Sequence, residues 1–235
     1  MTNPCIHAQW RPRLRALKQT LGACFTALFF SLALSVIAAP DLDKMLLLAQ
    51  QRYGTSGVKT VQQWRAILDQ TRALSETEKI SRINEFFNRS IAFRDDQELW
   101  GVPDYWATPL ETLGRGAGDC EDYTIAKYAT LKLLGVPIER MRLIYVRAQI
   151  GGPHSSVSQA HMVLGYYAKP GDEPVILDNL VTEIYPASRR TDLTPVFSFN
   201  SEGLWVGQTP SGNSATARLS RWRGVIERMQ QEGLE

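Results

Sequence analysis

The chain has 235 residues, 26 of them Lys or Arg and 24 Asp or Glu, for a formal net charge of +2. Hydrophobic residues make up 44% and charged residues 21%, which excludes an intrinsically disordered chain and fits one folded domain with appendages. No basic cluster of the kind that tracks phosphates is present in the part of the chain expected to fold.

The N-terminus reads as an export signal. Arg11, Arg13, Arg15 and Lys18 precede an apolar run from Leu21 to Ala39, and Val36 and Ala38 meet the small-residue rule for cleavage after Ala38. An uncleaved anchor is the alternative, since about 19 apolar residues just span a bilayer. "LGAC" at 21–24 mimics a lipoprotein box but opens the apolar run instead of following it, where such a box does not function. Residues 1–38 carry four basic and no acidic side chains, so their removal leaves 22 basic against 24 acidic residues, a net −2. Cys5, Cys24 and His7 leave with the signal. The exported chain, 39–235, keeps one cysteine, Cys120, and two histidines, His154 and His161. A lone thiol in an oxidising compartment is either a packed core residue or a reactive group.

Asp41 to Tyr53 and Val58 to Leu74 carry apolar side chains at helical spacing. "SETEKISRINEFFNRSIAF" opens with a capping box, Ser75 and Glu78. "LWGVPDYWATPLETLG" follows as an aromatic, Pro- and Gly-rich loop, in which Trp100, Tyr105 and Trp106 are either packed surface or the wall of a groove. In "GAGDCEDYT" Asp119 is an N-cap and Cys120 lies in the first turn of a helix that ends at Gly135 and Pro137. Strands are expected at 142–150, 159–168 and 174–180, further strand pieces near Phe197 and Trp205, and a closing helix over "ARLSRWRGVIERMQQEG".

The expected fold class is therefore α+β: helices first, then an antiparallel sheet, with Cys120 at a helix N-terminus packed on it. If the second and third strands form a hairpin, His161 near the start of one meets Asp178 near the end of the other, although they are 17 positions apart. A thiol at a helix start, an imidazole on a strand and an aspartate on the next strand make a nucleophile, a base and an orienting group. That order is the one found in papain-like and transglutaminase-like folds. Singly, each residue has a plainer reading: a packed thiol, a satisfied core histidine, a turn-forming aspartate. Cys120 and His161 as zinc ligands match no common spacing.

The motifs "DYWATPLETLGRGAGDCEDYTIAKYATLKLLGVP", "AHMVLGYY" and "ILDNL" resemble the bacterial transglutaminase-like cysteine proteinases over most of the exported chain. The resemblance implies Cys120 as nucleophile with His161 and Asp178 completing a triad. It also implies a Ca²⁺ requirement, met by Asp119, Glu121 and Asp122. That would answer a chemical puzzle, because carboxylates beside a thiol oppose its ionisation and a bound cation would neutralise them. The plainer reading is that these acids only cap the helix and complement its dipole. The resemblance further implies a periplasmic protease that cuts the N-terminal region of a large outer-membrane adhesin at a pair of alanines, releasing it and dispersing biofilm. An inner-membrane receptor of cyclic di-GMP would sequester it. A transglutaminase-like acyltransferase and a non-catalytic calcium-binding interaction protein are the alternatives.

Overall fold

A computed structural model describes residues 40–152, 154–207, 209–210 and 219–234. The expected export signal lies outside the described residues. The two N-terminal helices form one helical run, α1 (Leu42–Thr71), broken at Gly54, whose φ of 64° and ψ of −157° are non-helical. Asp41 caps its start by accepting from the Lys44 N–H at 2.9 Å. Its buried face, Met45, Ala49, Val61, Trp64 and Leu68, follows the expected spacing. The capping box of Ser75 and Glu78 opens α2 (Glu76–Ser90), which buries Ile80, Ile83 and Phe87.

The aromatic segment is not a simple loop. It includes a short α3 (Asp96–Leu99) and ends in α4 (Pro109–Arg115), which starts with a second capping box, Thr108 and Glu111, and Pro109 in its first turn. A two-stranded parallel pair, β1 (Ala92–Phe93) and β2 (Ala117–Gly118), ties the approach to the next helix back to the end of α2. That helix, α5 (Cys120–Leu133), has ten of its residues buried and forms the centre of the helical layer.

α5 packs on an antiparallel sheet of seven strands in the order β6-β5-β4-β3-β7-β8-β9. The strands are β3 (Met141–Gln149), β4 (Ser158–Tyr166), β5 (Val175–Leu177), β6 (Tyr185–Pro186), β7 (Leu193–Phe199), β8 (Leu204–Val206) and β9 (Thr209–Pro210). The expected strands are all present, although β5 stops at Leu177, just before Asp178. The side chains of Met141, Leu143, Met162, Leu164, Leu177 and Phe199 meet the helices in one core. Ile144, Val146, Val163 and Ile176 form a smaller cluster; their alternation with the first set places it on the opposite face. A closing helix, α6 (Ser220–Gln231), buries Trp222, Val225 and Met229. The fold is thus α+β with the helix that opens at Cys120 laid against antiparallel strands, as expected.

The break in α1 rests on a backbone conformation that only glycine adopts without strain. A Cβ at Gly54 would meet nothing within 4 Å, so any penalty of adding one is conformational. Gly54→Ala should lower the unfolding free energy by about 1–3 kcal/mol, read by urea denaturation, with helical circular dichroism retained.

Candidate active site

Cys120 opens α5 directly after the N-cap position, Asp119. Gly118 precedes both, and a Cβ there would lie 2.7 Å from Asp122 Cβ, so only glycine lets the chain pass this close. The thiol is partly buried and donates to Glu121 Oε2 at 2.7 Å. Burial, followed by the charges of Glu121 and Asp119, pushes its pKa up, while a main-chain hydrogen bond from Met162 acts the other way. Met162 directly follows His161. Thr124, one turn into α5, donates to the carbonyls of Cys120 (2.8 Å) and Met162 (3.1 Å). The first turn of α5 is therefore docked onto β4 beside the histidine.

His161 is buried on β4, and its Nε2 lies 2.8 Å from Asp178 Oδ1. The hairpin register accounts for this: Leu164 pairs with Leu177, and Asp178 is the next residue along. Asp178 Oδ1 also accepts from the Leu180 N–H at 3.0 Å, and its Oδ2 from Arg190 Nη2 at 2.7 Å. Arg190 is itself buried and also bonded to Asp192. Burial alone would raise the Asp178 pKa; His161, the Leu180 amide and Arg190 instead hold it down at about 2. His154, the other histidine among residues 39–235, is exposed in a turn.

A cluster of acids meets the same helix start. Single carboxylate oxygens of Asp96, Asp119 and Asp122 all lie within 4.8 Å of one another, and those of Asp119 and Glu121 lie within the same limit of the Cys120 sulfur. Asp122 is fully buried and accepts from the main-chain N–H of Ala107 (2.7 Å) and Asp119 (3.3 Å). Asp96 accepts from the Tyr105 N–H at 2.5 Å. Asp96 Oδ1 and Asp119 Oδ1 are buried without a hydrogen-bond partner. Burial, then the neighbouring charges of Glu121, Asp122 and Asp96, push the Asp119 pKa up to about 9. Asp122 and Asp96 are raised as well, each by burial first. Hard oxygens in a cluster, two of them unpartnered, suit a divalent cation such as Ca²⁺. Asp96 is the one member that sequence reasoning missed. It sits beyond an irregular loop, and its only signal is the acidic run "DDQE".

The aromatic residues divide. Trp100 and Tyr105 pack against each other with centroids 4.6 Å apart and ring planes tilted by 37°, and Tyr105 OH bonds Glu111 at 2.7 Å. Trp106 instead is buried and stacks on Phe199. It is packed into the core, while it and Tyr105 also line a pocket beside Arg221 and Arg228, so packed and groove-lining roles are combined in this segment.

A sequence profile described as bacterial transglutaminase-like cysteine proteinase matches residues 56–206. No curated protein matches the chain. Among solved structures the chain is similar to LapG of Legionella pneumophila, at 37% identity and a TM-score of 0.68, over 81% of this chain and 99% of that one. The EGTA-treated form of that protein gives 37% and 0.69 over 81% and 100% of the two chains. Its calcium-bound form gives 36% and 0.68 over 80% and 98%. With a profile covering more than half of its length and relatives of this identity aligned almost end to end, the chain belongs to the bacterial transglutaminase-like cysteine proteinases.

Proposed function

We propose that the protein is a calcium-dependent cysteine endopeptidase of the periplasm that uses Cys120, His161 and Asp178 as its triad. What supports this reading is a helix-start thiol whose first turn is docked against Met162, the residue after His161, together with the buried hydrogen bond between His161 and Asp178. The substrate is the N-terminal region of a large surface adhesin, cut between two alanines to release it from the outer membrane and disperse biofilm. An inner-membrane cyclic di-GMP receptor of the LapD type is the partner that sequesters the protease.

In this mechanism the hydrogen bond from His161 Nε2 to Asp178 fixes the tautomer, leaving Nδ1 as the basic nitrogen. Nδ1 takes the thiol proton as Cys120 Sγ attacks the scissile carbonyl carbon. The oxyanion that forms lies at the first-turn N–H groups of α5, which have no intrahelical partners. The imidazolium then protonates the departing amine, and a water deprotonated by the same imidazole hydrolyses the thioester. Asp178, held from its other oxygen by Arg190, keeps the ring oriented throughout. Asp96, Asp119 and Asp122, with Glu121 at the rim, would hold calcium, and the fit rests on the two unpartnered buried oxygens. Bound there, Ca²⁺ supplies positive charge that neutralises the acids beside the thiol.

The direct test is incubation of the exported form with the N-terminal segment of the adhesin, with and without a calcium-selective chelator. Product analysis separates hydrolysis from acyl transfer to an amine. Cys120→Ser should fold but not cleave, since a hydroxyl stays protonated where a thiol ionises; retained cleavage would sink the triad. His161→Ala should lose at least about a hundredfold in rate, the low end for a positioned base, whereas exposed His154→Ala keeps most of its activity.

Chelation should abolish cleavage, and calcium but not magnesium should restore it, because magnesium demands tighter octahedral geometry. Asp96→Asn and Glu121→Gln keep shape and remove charge. Both should weaken calcium binding, measured by titration calorimetry, and activity together. If Glu121→Gln alone leaves both unchanged, Glu121 is only a partner of the helix dipole. The pH dependence has a defined sign. A carboxyl whose folded-state pKa is raised stabilises the fold below its unfolded value near 4 and loses that contribution as pH rises towards about 9, the value for Asp119. In chelator, the melting temperature should therefore fall between pH 5 and pH 8. The stabilisation by added calcium should grow over the same interval, because binding displaces protons.

A further inference from the structure

Lys127 lies on α5, two turns past Cys120, and is 1% exposed. Taking an ammonium out of water costs several kcal/mol. Burial pulls its pKa down to about 7, against the charge of Asp178. Such a group persists where its hydrogens are needed, and all three are used. Lys127 Nζ donates to Asn84 Oδ1 at 2.8 Å, Asn88 Oδ1 at 2.8 Å and the main-chain carbonyl of Asp178 at 3.1 Å. An ammonium has three donors and a neutral amine only two, so this set of acceptors selects the charged form. The two asparagines are oriented by the same arrangement. With their oxygens turned to Lys127, their amide nitrogens donate to Asp178 O (Asn88, 2.8 Å) and Thr182 O (Asn84, 2.8 Å).

These bonds converge on the stretch of chain that leaves β5. Leu177 is the last paired residue of that strand, so the Asp178 carbonyl is supplied from side chains instead of from a ladder. Lys127 and Asn88 hold it from the helical layer, while His161 and Arg190 hold the carboxylate of the same residue. If α5 needed only to fill this space, a leucine or methionine would do so without a buried charge.

We propose that Lys127, together with Asn88, is a positioning residue of the protease: by clamping the Asp178 main chain to α5, it sets the carboxylate against His161 on the same helix that carries the nucleophile. The inference rests on the triad reading and deepens it. It makes the distance between nucleophile and orienting acid a property of one helix, with Cys120 at its start and Lys127 in its middle.

The test uses Lys127→Met, which keeps length and volume but removes the donors, and Lys127→Arg, which keeps charge and donors. Proteins carry His154→Gln and ¹⁵N-labelled histidine, so that His161 is the single reporter in the exported chain. The Nε2–H resonance hydrogen-bonded to Asp178 should be present in the parent and absent in Asp178→Ala. In Lys127→Met it should shift or be lost to solvent exchange, while melting temperature and calcium affinity stay close to the parent, and Lys127→Arg should recover part of it. On a peptide spanning the scissile Ala-Ala bond, kcat should fall roughly ten- to hundredfold, the scale of a displaced catalytic group, with KM little changed. In an Asp178→Ala background, Lys127→Met should add no further loss. An unchanged Nε2–H signal with unchanged kcat overturns the inference, as does an equal loss in both backgrounds. Should Lys127→Met fail to fold, Asn88→Ala is read by the same criteria. If Asp178→Ala itself keeps full activity, the triad reading fails, which is a result distinct from failure of Lys127 alone.

Discussion

Everything around the candidate site is organised by the meeting of carboxylates at the start of α5. Oxygens of Asp96, Asp119 and Asp122 share a space less than 4.8 Å across, and Glu121 adds a fourth acid at the thiol. Two charges at this separation repel by roughly 3–4 kcal/mol at an effective dielectric of 20. The helix N-terminus returns only about 0.3–1 kcal/mol per charge. The dipole cannot hold three ionised acids, so the cluster is compact only with protons or a cation in it. With protons, the thiol stays beside acids and its own proton stays on sulfur; with a cation, the charge that opposes thiolate formation is cancelled.

The second acid system has the opposite sign. Asp178 is as buried as Asp122, yet its pKa is held down at about 2 because His161, the Leu180 amide and Arg190 all favour its charged form. Asp119, with other acids for neighbours, is pushed up to about 9. One domain thus drives two sets of aspartates apart by their surroundings, which is the pattern by which active sites assign different tasks to the same side chain. Arg190 gives Asp178 a permanent partner, so the carboxylate stays charged whatever the protonation state of the imidazole.

Much of this was legible in the sequence, for identifiable reasons. The Ser75–Glu78 capping box and the apolar spacing of Val61, Trp64 and Leu68 are local signals, and they gave the first helices. The His161–Asp178 contact follows from antiparallel geometry once two strands and a short connection are recognised. What escaped was set by tertiary structure. Thr108, Pro109 and Glu111 do spell a helix start, but Pro, Gly and three aromatics around them read as loop. Asp96 reaches the cluster through the parallel pairing of β1 with β2, a contact between distant segments that no periodicity announces. Lys127 and Arg190 look like solvated cations, one within a helix and one in "SRRTD". Because α5 is buried nearly all round, it has no polar face against which a buried lysine would stand out.

The acid cluster and the approach to the thiol are also one piece of chain. Asp96 and Asp122 each accept a main-chain N–H from the segment between α3 and α4, at Tyr105 and Ala107 respectively. Tyr105 packs against Trp100 and bonds Glu111, so this segment carries its order from the cluster to the start of α4. A cation held by Asp96 and Asp122 draws their oxygens to fixed positions, and the two N–H groups follow. Charge neutralisation at the thiol and ordering of the aromatic segment would therefore follow from a single binding event at this cluster, whereas Asp178 is held by His161 and Arg190, neither of which belongs to it. The acid cluster and the His161–Asp178 pair are thus two separately held assemblies, and α5 touches both, through Asp122 at its start and Lys127 in its middle.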